Sequence, residues 1–153
     1  MTADRLLVAL LEEAYSRKTW HGPNLLQSLR GVRAKQALWR PGATGHNIWE
    51  LTLHAAYWKC AARRGLEGTR GRAFPLKGRN FFRCPEPGAA TEVAWRAVRA
   101  LLEQEHRLLV GALRLVSSRR LTDKQRRMVY GVAFHDVYHA GQIRLLRRLQ
   151  EPR

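Results

Sequence analysis

Apolar residues recur at intervals of three and four over four long stretches of the chain, as expected for helices that bury one face. Capping-box patterns open two of these stretches, with Asn47 followed by Glu50 and Thr122 followed by Gln125. No alternation typical of strands and no internal repeat is visible. The pattern therefore predicts an all-α protein with long helices over residues 3–17, 47–64, 91–116 and 122–150.

The connections between these helices differ greatly in length. Residues 18–45 and 65–89 are rich in glycine, proline and aromatic residues, and connections this long usually cross a bundle or cover a site. The link around 117–121 is short, so the helices that it joins are predicted to be antiparallel neighbours. The predicted architecture is a four-helix bundle with two long crossover connections, forming one domain over residues 1–153.

Composition and charge narrow the possible functions. No run of about 18 or more apolar residues is present, which predicts no membrane-spanning helix, and the acids near the N-terminus argue against a signal peptide. Cys60 and Cys84 form no CxxC pair, which favours a cytoplasmic location. The net charge of +16 is typical of nucleic-acid binders, but the basic residues are scattered and no zinc-finger or RNP pattern accompanies them. We therefore expect no specific nucleic-acid recognition.

Two histidines interrupt the apolar stripe of the fourth predicted helix. His135 and His139 are one turn apart and offset by about 40°, so both imidazoles face the same way and are able to grip one metal ion. The spacing alone equally allows two core histidines, each hydrogen-bonded to a neighbour. A buried imidazole without partners costs about 1–3 kcal/mol, and a shared metal would satisfy both rings. His54, on the inward stripe of the second helix, is the candidate third ligand.

The other histidines have different interpretations. His46 lies eight residues before His54, about 12 Å along a helix axis, so both cannot bind one ion; we interpret it as a loop or staple residue. His106 is flanked by charged residues and is expected to face solvent. His21 could be an additional ligand or a wall of the pocket, and a structural role is favoured.

Several segments of the sequence resemble a known family. The segments HNIWELTLHAAYWK and, about eighty residues later, FHDVYHAGQIRLLRR are similar to the DinB/YfiT-like superfamily of bacterial metal-binding proteins, and WHGPNLL and ALWRPGATGHNIWEL match one branch of it. The resemblance implies an up-down-down-up bundle with a divalent metal, usually zinc or nickel. It also implies that the ligands are His54, His135 and His139. By analogy with some relatives, it implies an S-transferase or isomerase that uses low-molecular-weight thiols.

Three neutral histidine ligands leave a fourth position for water or substrate, as in catalytic zinc sites. A metal there lowers the pKa of bound water to about 7 or activates a thiolate. No general base is obvious, because Glu50 is explained as a cap and Asp136 points about 100° away from His135, towards the surface or a supporting position. Three further side chains either line the pocket or serve the core: Tyr57, Tyr138 and Gln142.

Three functions remain open from the sequence. The first is a metal-dependent enzyme, an S-transferase or a hydrolase, acting with small thiols. The second is a non-catalytic, metal-stabilised dimeric bundle in a stress response. The third, motivated by charge alone, is a nucleic-acid-associated stress protein.

Two expectations concern surfaces. The loop 65–89 is expected near the mouth of the metal pocket, where its bases from Arg70 to Arg83 would favour an anionic ligand. A homodimer is expected because several apolar residues lie outside the core stripes; these are Val8, Tyr15, Trp95, Leu108 and Leu115. The alternative is that the two long crossovers cover these residues.

Overall fold

The computed structural model describes residues 3–68, 71–116 and 121–151. Within these ranges the protein contains helices and no strand, which confirms the all-α prediction. The α-helices of the described ranges are α1 (Ala3–Tyr15), α2 (Leu25–Leu29), α3 (Ala34–Leu38), α4 (Ile48–Glu67), α5 (Glu92–Val116) and α6 (Asp123–Leu149), and a 3-10 turn covers Pro87–Ala89. No helix in the described part of the chain is long and apolar enough to span a membrane.

Side-chain caps fix where the long helices begin. The Asn47 side chain accepts a hydrogen bond from the backbone N–H of Glu50 at 2.9 Å, and the Thr122 hydroxyl accepts one from Gln125 at 3.2 Å. Each cap satisfies a backbone donor that the first turn of a helix leaves free. Both capping boxes predicted from the sequence are confirmed.

The four long helices pack in a cyclic order. α4 lies between α5 and α6, and α1 contacts α5 and α6 on the other side, whereas α5 and α6 make few direct contacts in the described residues. The prediction that α5 and α6 are packed neighbours is therefore wrong. A link of about six residues reaches about 20 Å when extended, which is enough to cross the diagonal of a bundle, so its shortness does not make the joined helices adjacent.

Two contacts between α4 and α5 show that the two helices run in the same direction. Near the start of both helices, the rings of Trp49 and Trp95 are 5.2 Å apart. Further along both, the Nε of Arg63 lies 3.3 Å from the carboxylate of Glu105. Residue numbers rise together along this contact, and the long segment between α4 and α5 returns the chain to the end where α4 began.

The first long connection, which contains α2 and α3, closes one side of the core. The Trp95 indole N–H donates to the Val32 carbonyl at 2.7 Å, and Arg147 donates to the Ser28 carbonyl at 2.9 Å. Trp95 is 1% exposed. This residue therefore supports the alternative that the crossovers cover the additional apolar side chains.

A layer of buried polar groups crosses the middle of the bundle. Lys59 and Asp136 are both 0% exposed and form an ion pair, and the Lys59 Nζ lies 3.4 Å from the Nδ1 of His106. The expectation that His106 faces solvent is wrong, because it is 4% exposed and its ring stacks on Tyr15 at 3.9 Å. Asp136 is likewise not at the surface, since Lys59 reaches it from α4. Burial, reinforced by the Lys59 charge, lowers the pKa of His106 to about 3, so the ring is neutral at pH 7.

Candidate metal site

Three imidazoles from two helices meet inside the bundle. His54 comes from the middle of α4, and His135 and His139 come from successive turns of α6. One nitrogen of each ring lies within 4.8 Å of the other two. The Nε2 of His135 is 2.9 Å from the Nε2 of His54 and 2.9 Å from that of His139. The structure therefore brings together the three candidates identified from the sequence.

In two of the rings, the hydrogen bond made by Nδ1 determines whether Nε2, which faces the cluster, carries a proton or a lone pair. The Nδ1 of His54 is 2.9 Å from the Asn80 carbonyl oxygen, and the Nδ1 of His139 is 2.6 Å from the Gln142 side-chain oxygen. Both oxygens only accept, so each Nδ1 carries the proton and each Nε2 directs a lone pair inward. A single N–H on His135 satisfies only one of these lone pairs, whereas a cation at the centre satisfies all three nitrogens. The donor set therefore fits a metal ion.

The environment keeps the three rings neutral. Burial lowers the pKa of His135 to about 3 and that of His139 to about 4, and neighbouring imidazoles act in the same direction. Burial also lowers the pKa of His54, although its hydrogen bond to Asn80 opposes this shift. Neutral imidazole is the form that binds metals, so no ligand has to lose a proton at pH 7.

The second long connection covers His54. Phe81 stacks between two histidines, with ring centroids 4.0 Å from His54 and 3.6 Å from His46. Asn80, at φ +67°, accepts from the Trp58 indole at 3.0 Å through its side chain, while its carbonyl contacts His54. Asparagine tolerates this left-handed backbone better than most residues. The prediction that the loop lies beside the candidate site is confirmed at Asn80 and Phe81.

The positions of the basic residues in that loop neither support nor contradict the predicted anionic ligand. Arg70 lies outside the described residues, and Arg72 points to Glu105, with a nitrogen–oxygen distance of 3.5 Å. An anionic ligand for this stretch stays a prediction.

A family comparison covers most of the chain. The model of the DinB superfamily matches residues 18–143, a range that contains all three histidines of the cluster. The chain belongs to the DinB superfamily. No curated protein and no solved structure matches it. In a DinB superfamily member, a buried cluster of three histidines indicates a divalent metal site.

The remaining histidines of this DinB superfamily protein lie outside the cluster. His21 is exposed and lies outside the three-histidine cluster, so it is not one of the clustered candidate ligands. His46 lies just before the α4 cap, as predicted, and its Nδ1 is 3.1 Å from the Glu50 carboxylate. Burial of Glu50 raises its pKa, but hydrogen bonds from Arg40 and His46 outweigh this and lower it overall. Glu50 is therefore an engaged carboxylate rather than a free general base.

Three other polar candidates have distinct surroundings. Tyr57 is partly buried among aromatic rings, 5.6 Å from both Phe74 and Phe82, and packs against the core. Tyr138 is exposed and accepts from the Gln142 amide at 3.2 Å. Gln142 thus links His139 to Tyr138 and supports the ligand orientation.

The parts of the site that come from the loop could not be identified from the sequence. The Asn80 contact to His54 is made by a backbone carbonyl, which every residue has, so no sequence signal could have identified it. Gln142 was recognisable because it follows His139 by three residues, the spacing of neighbours on one helix face.

Proposed function

We propose that this protein binds one divalent metal ion, zinc or nickel, through His54, His135 and His139. One observation supports the proposal above all. Hydrogen bonds to Asn80 and Gln142 place the protons of His54 and His139 on Nδ1, so the Nε2 lone pairs of both rings point towards His135. Imidazole nitrogens suit both metals. Three protein ligands leave a fourth position for a reactant, as in catalytic rather than structural zinc sites.

We further propose that the site is that of a metal-dependent transferase or hydrolase acting with low-molecular-weight thiols. When bound, the metal supplies a Lewis acid that lowers the pKa of a thiol or water in the open position. The Nδ1–H groups of His54 and His139 donate hydrogen bonds to Asn80 and Gln142, and these bonds fix the orientation of both rings. Phe81 covers one face of His54 and excludes water from it.

The thiol proposal predicts turnover by the metal-loaded protein. With cysteine as the thiol and monochlorobimane as a fluorescent electrophile, conjugation is expected to exceed the rate with free metal ion. His139→Ala should abolish this excess, whereas His21→Ala, which changes an exposed histidine outside the cluster, should retain it. A metal that only raises the melting temperature, without any excess rate for thiols or for ester hydrolysis, would contradict the enzymatic proposal.

Gln142→Ala is expected to weaken metal binding about 10- to 100-fold, the usual effect of losing a group that orients a ligand. His139 would lose the acceptor that fixes its tautomer. Isothermal titration with zinc measures the change. Gln104→Ala, at an exposed position on α5, is the matched control and should leave the affinity unchanged. Equal affinities of the two variants would show that Gln142 has no orienting role.

One observation favours the second candidate function, a non-catalytic metal-stabilised dimeric bundle in a stress response. An apolar stripe on α6 is more than half exposed and spans about 60° of the helix circumference; it consists of Phe134, Tyr138, Leu145 and Leu149. We propose that a second copy of the chain covers this stripe. Of the residues that predicted a dimer from the sequence, Tyr15 and Trp95 are buried in the single chain, so they do not support it.

Light scattering in moderate salt is expected to give the mass of two chains at micromolar concentration. Salt is needed because it screens the repulsion between two chains of net charge +16. Phe134→Arg should give the mass of one chain, while Val93→Arg, at an exposed position on α5, should remain dimeric. A one-chain mass for the unmodified protein would end the dimer proposal.

Three broader features are also part of the proposal. The first is the up-down-down-up order of the long helices, supported by the contacts at matching levels of α4 and α5. The second is a single domain over residues 1–153. The third is a cytoplasmic location without dedicated nucleic-acid recognition, supported by the free thiols of Cys60 and Cys84.

A further inference from the structure

A cavity of about 400 Å³ lies between α4 and α6, next to the histidine triad. Trp58 and Ala61 line it from α4, and Met128, Gly131 and His135 line it from α6. Its volume is within the range of small-molecule sites, which runs from about 300 to 1,000 Å³. Apart from His135, these lining side chains carry no charge or strong hydrogen-bonding group other than the Trp58 indole N–H, which Asn80 already accepts.

The cavity and the triad share a side chain. The Nε2 of His135 faces the other two histidines, while the same ring forms part of the cavity wall. Trp58, one turn after His54, has its ring 6.4 Å from that of His54 and 6.3 Å from that of His135. A molecule bound at the triad is therefore separated from the apolar cavity by no more than one side chain.

Small residues keep this space open. A Cβ added at Gly131 would meet no atom within 4 Å, although glycine inside a helix costs about 1 kcal/mol relative to alanine. Gly65 has a different role, because a Cβ there would lie 2.5 Å from the Met128 methyl carbon. Gly65 thus makes room for Met128 at that end of the cavity, and a thioether is among the most flexible apolar side chains.

We propose that the cavity binds the aryl or branched-alkyl group of a small molecule whose thiolate end is held at the triad. The inference rests on the proposed metal site and specifies its ligand class as thiols with an apolar substituent. Removing such a group from water into a preformed apolar space is favourable. A short hydrophilic thiol gains nothing from the cavity, so the site discriminates between the two kinds of thiol.

Cobalt-loaded protein provides a readout that does not depend on turnover, because thiolate binding changes the visible absorption of cobalt(II). Titration with benzyl mercaptan and with 2-mercaptoethanol compares an aryl thiol with a hydrophilic one. Benzyl mercaptan is expected to bind about 10- to 100-fold more tightly, the gain for burying one aromatic ring.

Variants on the two walls of the cavity test whether the aromatic ring of benzyl mercaptan binds there. Gly131→Leu on α6 and Ala61→Leu on α4 each place a side chain in the cavity and should reduce the ratio of the two affinities to about one. Gly141→Leu is the matched control, because Gly141 is also inside α6 and a Cβ there also meets no atom within 4 Å, yet it lies on an exposed face. This control should retain the preference for benzyl mercaptan.

The possible failures are distinguishable. Equal affinities for the two thiols in a protein that binds cobalt would overturn the cavity inference and leave the metal site standing. A preference that survives both leucine variants would also overturn it, because the ring would then bind elsewhere. A protein that binds no cobalt would overturn the metal site and, with it, the inference.

Discussion

Zinc or nickel added to the metal-free protein is expected to raise its Tm by about 8–16 °C when the free metal is about 1,000 times its Kd. A ligand that binds only the folded state at that excess stabilises it by about 4 kcal/mol. In a chain of this size each kcal/mol corresponds to roughly 2–4 °C. The effect requires all three imidazoles, so His139→Ala should lose nearly all of the rise. Differential scanning calorimetry with and without a chelator measures it.

His21→Ala is the control for this experiment, because His21 is exposed and outside the cluster. It should show the same rise as the unmodified protein. A rise of equal size in His139→Ala would place the stabilising metal elsewhere. No rise in the unmodified protein would identify the three histidines as a packed cluster without a metal.

Lys59→Met is expected to lower the free energy of unfolding by about 3–5 kcal/mol, the usual effect of breaking a buried ion pair. Lys59 and Asp136 are both fully buried, and the second carboxylate oxygen of Asp136 has no partner in the described part of the chain. Burial already raises the pKa of Asp136, and Lys59 opposes that shift. Without Lys59, the protein would have to bury a charged carboxylate or protonate it.

The double variant Lys59→Met, Asp136→Val is the control that separates charge from packing. Replacing a whole buried pair by apolar side chains is often neutral, so the double variant should recover most of the loss. Urea unfolding in the presence of a chelator measures both variants without a contribution from metal. A single variant within about 1 kcal/mol of the unmodified protein, or a double variant no more stable than the single one, would contradict this account.

The long helices and the histidine triad were predictable because both depend on local spacing. The capping boxes at Asn47 and Thr122 mark helix starts within a few residues, and the period of the helix alone places His135 and His139 on one side. His54 followed from the inward stripe of its own helix. These predictions needed no knowledge of how the helices pack.

The buried polar layer was not predictable in the same way. Glu105 and Asp136 look like surface residues in the sequence, and His106 takes the same appearance from its charged neighbours. Their burial depends on partners from α4, Arg63 and Lys59, which are distant in the chain. Charged residues are almost never fully buried unless paired, and a pairing across helices leaves no local pattern.

The order of the helices around the bundle was also beyond the sequence. The short link after α5 allowed both an adjacent and a diagonal position for α6. The observed position follows from the contacts that α4 makes on two sides, with α5 and with α6. Those contacts include the triad itself, since His54 meets His135 and His139 of α6.

Anomalous diffraction shows directly whether His54, His135 and His139 bind one metal ion. Crystals of protein purified without a histidine tag and loaded with one equivalent of zinc would be measured at the zinc absorption edge. We expect one anomalous peak per chain, about 2.0–2.1 Å from one nitrogen of each ring. A peak elsewhere, or a triad without a peak in which the rings contact only one another, would contradict it.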